Sequence, residues 1–238
     1  PALSASSSLP FGMIGRRLLQ AIRAAMSTLP TRYRKLVIQQ LTGDFRSSTG
    51  VAWQDWIPPG PGEIAVRNRW AGCNAIFDKN LCRNAIRYVD VVPPFDMGIE
   101  AVGEVVAVGP GVDAFRIGDC VATTKLGNGY RDYQIAPVAR AIRVREATPE
   151  VLTLVPTGIS AMVGLERVGE MRGGETVAVS AAAGGLGHMV VQLAKLVGCH
   201  VIALTGADSK VELLRALGAD RVVNYRRENL ADVLAREY

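Results

Sequence analysis

One glycine-rich stretch has the residue types and the spacing to hold a phosphate-bearing ligand. Ala182, Gly184 and Gly187 form an A-x-G-x-x-G run, and an apolar, β-branched segment over 176–180 precedes it. Gly184 lets backbone amides approach a diphosphate without a side chain in the way, and Gly187 allows the next helix to pack closely on the strand. The run therefore predicts a site for a dinucleotide.

The elements around this run predict a βαβ unit. A helical pattern follows, with Val190, Leu193, Ala194 and Val197 on one stripe, and a second strand begins at His200. Such a unit places a diphosphate at a helix N-terminus. The alternative is a glycine-rich turn in another kind of α/β protein. The predicted cofactor-binding residues of the turn are Ala182, Ala183, Gly184, Gly185, Leu186 and Gly187.

The end of the second strand bears on the choice of cofactor. Enzymes that use NAD place an acid there for the ribose 2′-hydroxyl, whereas this strand ends at Thr205 without one. Lys210, and Tyr225 with Arg226 after the third strand, could meet a 2′-phosphate or could form an ordinary solvated face. Asp208 argues for NAD, but we expect it to cap the next helix instead. The sequence thus favours NADP, with Thr205, Lys210 and Tyr225 in its site.

Composition excludes several classes of function. The chain has 238 residues, of which 49% are hydrophobic, enough for one large domain or two modest ones. Its net charge of +5 arises in residues 1–43, which hold six basic residues and no acid, leaving 21 basic against 22 acidic residues over 44–238. A basic nucleic-acid footprint is therefore not predicted. The four cysteines lack metal-ligand spacing, and no run resembles a membrane span.

The first 32 residues form a basic leader. A serine-rich start precedes a helical pattern in which Arg16, Gln20 and Arg23 share one face. An amphipathic, Arg-rich and acid-free segment is typical of an organelle transit peptide. We expect a mitochondrial location, with a peroxisomal or cytoplasmic one as the alternative. A solvated helix, or a helix that docks on a partner, stays open.

Short strands separated by glycine and proline follow the leader. They predict a small β-barrel or sandwich over 33–150, and a helical pattern takes over near 148–152. The segments GIEAVGEV, VGPGV, IGDCV and GYRDYQIAP resemble the GroES-like domain of medium-chain dehydrogenase/reductases. AAAGGLGHMVVQLAK resembles the cofactor turn of their quinone-reductase branch, and the likeness extends from Tyr33 to about Glu228.

The resemblance implies an α/β plus β fold, in which a GroES-like β-barrel domain precedes a truncated Rossmann βαβαβ half. The implied divisions are the leader over 1–32, the GroES-like domain over 33–150 and a partial NADP-binding domain over 151–238. A family member would continue beyond Tyr238 with further βα units. The resemblance also places Lys210 and Tyr225 where the family holds the 2′-phosphate.

The implied activity is a zinc-independent, NADPH-dependent reduction of activated carbon–carbon double bonds in enones, quinones or oxo-prostaglandin-like substrates. Zinc-using relatives carry histidine where this chain has Ile99. Asn74 and Ser160 match family positions near the nicotinamide, although each could also serve a local structural purpose. Tyr88 lies near the place of the family's pocket tyrosine, in a segment after Asn74 that is about two residues longer than in the family.

The further βα units that the resemblance implies after Tyr238 lead us to a second functional expectation for residues 1–238. We expect residues 1–238 alone to be a poor catalyst, and the alternative function is that of a structural or accessory subunit of a larger complex, such as a mitochondrial one. A homo-oligomer is the other expected assembly. A half-formed sheet leaves an edge and apolar helix faces that need a partner.

Overall fold

The computed structural model describes residues 29–238. Nearly all of the predicted leader lies outside this range, so its amphipathic helix and its targeting role stay predictions. The described part begins with strands, continues through a broken helical segment and ends in alternating strands and helices.

Eight antiparallel strands build the first part. Five of them form a sheet in the order β7-β3-β5-β6-β8, and three form a sheet in the order β2-β1-β4. Two short helices, α1 and α2, lie between strands. The bounds are β1 Arg32–Ile38, α1 Phe45–Ser48, β2 Thr49–Asp55, β3 Glu63–Ala71, α2 Ala75–Cys82, β4 Phe95–Asp96, β5 Glu100–Val108, β6 Cys120–Thr124, β7 Tyr133–Pro137 and β8 Ala141–Val144.

The larger sheet buries one face of alternating apolar residues. Ile64, Val66, Val105 and Val121 are almost fully buried and pack in one cluster, as expected when every second side chain of a strand faces the core. The pairing of β3 with β5 also brings together residues that are distant in sequence. Because the two strands run antiparallel and Ala71 pairs with Ala101, the end of β3 lies beside the start of β5.

A helical segment over 149–168 follows the strands. It consists of α3 (Pro149–Thr153), α4 (Ile159–Val163) and two wide π turns (Leu154–Gly158 and Gly164–Val168). The hydroxyl of Thr148 caps its start by accepting a hydrogen bond from the Val151 amide at 3.3 Å. The predicted change of pattern near 148–152 coincides with this start, while the domain division itself stays a prediction.

The segment Pro149–Val168 is, by length and composition alone, apolar and long enough to cross a membrane. The sequence analysis predicted no such span. Val155 interrupts the helix with extended backbone angles (φ −133°, ψ 122°). The unbroken remainder of roughly 13 residues would span about 20 Å, less than the roughly 30 Å of a bilayer core. The segment is therefore weak evidence for a membrane span.

The last part is a parallel three-stranded sheet in the order β11-β10-β9, with helices between its strands. This is the predicted βαβαβ pattern. The chain starts at one edge with β9, continues to β10 in the centre and ends at β11 on the other edge, and a helix connects each strand to the next. The bounds are β9 Thr176–Val179, α5 Gly187–Val197, β10 His200–Thr205, α6 Val211–Ala216, β11 Arg221–Asn224 and α7 Leu230–Glu237.

The buried face of α5 differs from the predicted stripe. Ala194 is fully buried as expected, but Met189 and Val191 complete the buried face, while Val197 is 46% exposed. Val197 lies in the last turn, just before Gly198, which adopts the left-handed conformation and ends the helix. The apolar pattern misled because Val and Leu residues occur on both sides of this helix.

Candidate active site

The glycine-rich turn joins β9 to α5 at the carboxyl end of the parallel sheet. Ala181 adopts a positive φ of 47°, unusual for a residue with a side chain, and its carbonyl accepts a hydrogen bond from the Gly184 amide at 2.8 Å. Ala182 is fully buried, and its amide bonds to Leu204 of β10 at 3.0 Å. The Ala182 side chain thus packs in the core, while Gly184, Gly185 and Leu186 are exposed.

The glycines of the turn have separable roles. A Cβ on Gly187 would overlap the Ala181 carbonyl and lie 2.7 Å from Ala182 Cα, so this glycine permits the close contact between helix and turn. A Cβ on Gly185 would meet no protein atom within 4 Å, and the space in front of it is open. The turn thus offers exposed backbone at the N-terminus of an 11-residue helix, an arrangement that suits a diphosphate.

The residues predicted to meet the 2′-phosphate follow the neighbouring strands. Lys210 comes after β10 and Tyr225 after β11, and because these strands are parallel both lie at the edge that carries the glycine turn. Lys210 is exposed, and Tyr225 is 57% exposed with its hydroxyl against Gly206. Thr205 is 4% exposed, and its hydroxyl accepts a hydrogen bond from the Ala207 amide at 3.3 Å. Thr205 therefore shapes the loop.

Asp208 does not cap a helix, so that expectation was wrong. The short turn that it begins has no side-chain cap, and neither does α6. Its carboxylate accepts a hydrogen bond from Asn224 Nδ2 at 2.6 Å and forms an ion pair with Arg227. Asp208 does not act as a cap because β11 ends beside this loop, and the Asn224 side chain at that end donates a hydrogen bond to the Asp208 carboxylate. Sequence reasoning had singled out Arg226 and missed Arg227.

A cavity of about 800 Å³ opens between the β-domain and the glycine turn. A cavity of this size suits a small organic ligand. It brings together two predicted catalytic residues, Asn74 and Ser160, with Gly185 and Leu186 of the turn. Tyr88 lines it too, with 82% of its surface exposed. The remaining predicted residues, Lys210 and Tyr225 among them, do not line this cavity.

Asn74 precedes α2 without capping it through its side chain. Its Nδ2 instead donates a hydrogen bond to Glu100 Oε1 at 2.9 Å, and its backbone amide donates to Asp78 Oδ2 at 3.2 Å. Gly72 makes this contact possible, because a Cβ there would overlap the Glu100 carboxyl. With Nδ2 engaged below the cavity floor, the Oδ1 atom of Asn74 is the group available to a ligand.

Two buried carboxyl groups lie beneath Asn74. Glu100 is 5% exposed and Asp78 is 2% exposed, and each has one oxygen without a partner in the described range 29–238. Burial raises the pKa of Glu100 to about 7, and the nearby Asp78 adds to the rise. Burial likewise raises the pKa of Asp78, whose Oδ2 accepts a hydrogen bond from the Tyr130 hydroxyl at 2.5 Å. Burial thus disfavours the charged form of both carboxyl groups beneath Asn74.

Ser160 lies in the first turn of α4 and faces the cavity. Its hydroxyl has no hydrogen-bond partner within residues 29–238, and Gly158, not Ser160, occupies the cap position. Ser160 follows the cap position and is exposed, so its side chain does not cap the helix. The hydroxyl is thus available to a ligand.

Comparison with known proteins matches both parts of this architecture. Residues 60–146 match the alcohol dehydrogenase GroES-like domain, and residues 185–238 match the zinc-binding dehydrogenase family. The chain belongs to the medium-chain dehydrogenase/reductase family. It is 39% identical over 215 residues to prostaglandin reductase-3 of Mus musculus, covering 89% of this chain and 56% of that protein.

Further relatives of this medium-chain dehydrogenase/reductase are named as quinone reductases. A probable quinone oxidoreductase of Leishmania amazonensis is 39% identical over 205 residues, covering 84% of this chain and 59% of its own. The Escherichia coli quinone oxidoreductase, solved in complex with NADPH, superposes with a TM-score of 0.74 at 25% identity and covers 84% and 61% of the two chains. The chain thus spans about half the length of the curated relatives that it matches.

The zinc of other medium-chain dehydrogenase/reductases does not fit this donor set. Residues 29–238 contain no group of three His, Cys, Asp or Glu side chains that could hold a metal ion. Ile99 supplies no ligand beside Glu100, and His188 and His200 lie on α5 and β10, where His200 contacts Tyr238. Cys73 lines the cavity without a second thiol or an imidazole. No step of the proposed chemistry therefore runs through a metal.

Proposed function

We propose that this medium-chain dehydrogenase/reductase is a zinc-independent, NADPH-dependent reductase of activated carbon–carbon double bonds. The observation that carries the proposal is the single cavity in which Asn74 and Ser160 face the glycine turn at Gly185. The names of the relatives support the same chemistry, since they are reductases of prostaglandins, quinones and 2-alkenals. Suitable substrates are α,β-unsaturated ketones, quinones and oxo-prostaglandin-like enones.

The chain's own residues divide the binding of the cofactor. The amides of Gly185 and Leu186, beside the exposed backbone of Gly184, would bind the diphosphate, and Lys210 with Tyr225 would bind the 2′-phosphate. When bound, NADPH supplies the hydride that the substrate alkene accepts. Asn74 Oδ1 accepts a hydrogen bond from the nicotinamide end, since its Nδ2 is engaged by Glu100.

The cavity wall suits an electrophilic, largely apolar substrate. Phe77, Ile86, Tyr88 and Leu186 give it an apolar lining that would contact such a substrate. The Ser160 hydroxyl is the donor that can bond either to the nicotinamide ribose or to the substrate oxygen, where negative charge develops as the enolate forms. No side chain has to act as a nucleophile in this chemistry.

Absorbance at 340 nm tests the proposal. The purified full-length protein should oxidise NADPH when a 2-alkenone is added, and the rate should persist after dialysis against a zinc chelator. NADH in place of NADPH should give a much slower rate. Strict preference for NADH, or loss of activity with the chelator, would overturn the proposal.

An accessory-subunit function is the second candidate. The helical segment 149–168 supports it, because Ile159, Met162, Val163 and Val168 are 43% to 80% exposed. Light scattering of the purified chain tests it, and so does an NADPH titration. A monodisperse monomer that binds NADPH with micromolar affinity would argue against this function. Imaging of the tagged protein in cells would test the mitochondrial location that we propose from the leader.

A further inference from the structure

The loop after β10 carries an acid where a 2′-phosphate is expected. Asp208 is the first acidic residue after this strand, and it lies two residues before Lys210. A free carboxylate here would repel a phosphate and attract the ribose hydroxyls of NADH. The structure gives both oxygens of Asp208 other partners.

The first partner, Asn224, ties two loops together. Asn224 is 7% exposed at the end of β11, and its Nδ2 donates to Asp208 Oδ1 at 2.6 Å. The Asn224 carbonyl also accepts from the Arg227 amide at 2.8 Å, which forms the turn that carries Tyr225. This hydrogen bond fixes the Oδ1 atom of Asp208 against the end of β11.

The second partner, Arg227, compensates the charge. Its guanidinium pairs with Asp208 Oδ2, while 70% of the Arg227 side chain and 50% of the Asp208 side chain remain exposed. An ion pair this exposed contributes little to folding. The pair does neutralise a negative charge at the edge where Lys210 and Tyr225 lie, which lowers the electrostatic repulsion of an anionic ligand there.

We propose that Arg227 sets the preference for NADPH over NADH by neutralising Asp208. The proposal rests on the proposed function, because it concerns the same cofactor site. Arg227 is a positioning residue that acts through Asp208, and Asn224 fixes the carboxylate where the arginine can reach it. The 2′-phosphate therefore meets Lys210 and Tyr225 without an opposing charge.

Fluorescence titrations of the purified chain with NADPH and with NADH test this proposal. Arg227→Ala should raise the Kd for NADPH about fivefold or more, as expected for one unpaired charge near an anion. The Kd for NADH should not rise, because NADH lacks the phosphate and its ribose hydroxyls can bond to the freed carboxylate. Asp208→Asn alone should lower the Kd for NADPH by a similar factor, since it leaves the Arg227 charge unopposed beside the phosphate. Arg215→Ala, which removes an exposed arginine that pairs with Glu212 of α6, is the control for net charge.

The double variant Arg227→Ala/Asp208→Asn decides the mechanism. Recovery of the wild-type Kd for NADPH is expected, because no charge is left to compensate. A double variant as weak as Arg227→Ala would overturn the proposal and assign Arg227 to direct phosphate contact. Equal affinity of Arg227→Ala and the wild type for NADPH would overturn it too. A wild type that binds neither nucleotide would instead refute the proposed function, so the two failures are distinguishable.

Discussion

Glu100 holds Asn74 at the floor of the cavity, with 2.9 Å between Glu100 Oε1 and Asn74 Nδ2. The two residues are 26 positions apart and meet because β3 and β5 pair at this end of the sheet. Burial raises the pKa of Glu100 to about 7, so the carboxyl is neutral through much of the acidic range. A neutral carboxyl still accepts the bond from Asn74 through one oxygen. The orientation of a proposed catalytic residue thus depends on a buried acid.

The protonation of Glu100 predicts a pH-dependent stability. Its pKa is raised from 4.5 to about 7 on folding, so its contribution is fully present below about pH 4.5 and is lost as the pH rises toward 7. Glu100→Gln keeps the acceptor without titrating. In urea unfolding, the free energy of unfolding of the variant should rise relative to that of the wild type by on the order of 3 kcal/mol between about pH 4.5 and 7.5. Parallel stability profiles for the two proteins would contradict the burial of an ionisable Glu100.

Substitutions at two glycines of the turn should separate the effect on NADPH binding from the effect on folding stability. Gly185→Val places its side chain in open space, so the melting temperature should hold while affinity for NADPH falls at least about tenfold, because the side chain occupies diphosphate space. Gly187→Ala should instead lower the melting temperature, since its Cβ overlaps the backbone of Ala181. Calorimetry and fluorescence titration measure the two effects. Unimpaired NADPH binding by a folded Gly185→Val protein would place the diphosphate elsewhere.

The Ser160 hydroxyl should matter for turnover. Ser160→Ala is expected to lower kcat/KM for a 2-alkenone by roughly 10²-fold, the usual cost of losing a donor to a developing oxyanion. Ser160→Thr keeps the hydroxyl and should retain most of the activity. An unchanged Kd for NADPH would assign the hydroxyl to the substrate, and a raised Kd would assign it to the nicotinamide ribose. Full activity of the alanine variant would remove Ser160 from the site.

The sequence predicted the parts of this site that depend on local pattern. The turn at Gly184 to Gly187 and the βαβαβ order follow from glycine spacing and apolar runs, and the structure has both. The resemblance supplied Asn74 and Ser160, which the structure brings to one cavity. Their roles as catalytic residues stay predictions, as do the roles of Lys210 and Tyr225.

Contacts between distant segments could not be predicted in the same way. The bond from Asn74 to Glu100 depends on the register of β3 against β5, and no local pattern encodes that register. The pairing of Asp208 with Arg227 depends on two loops at the ends of neighbouring strands. For Asp208, the helix-capping rule used a correct local preference, and a partner from β11 outcompeted it. A signal for Glu100 is present in the GIE segment, where the acid directly follows Ile99.

Transfer of an isotope label tests the central claim most directly. The purified protein is incubated with NADPH that carries deuterium at the transferred C4 position and with a 2-alkenone, and the product is analysed by mass spectrometry and NMR. The proposed function predicts a saturated ketone with one deuterium at the former β-carbon. An allylic alcohol with the label on the carbonyl carbon, or a saturated product without label, would contradict it.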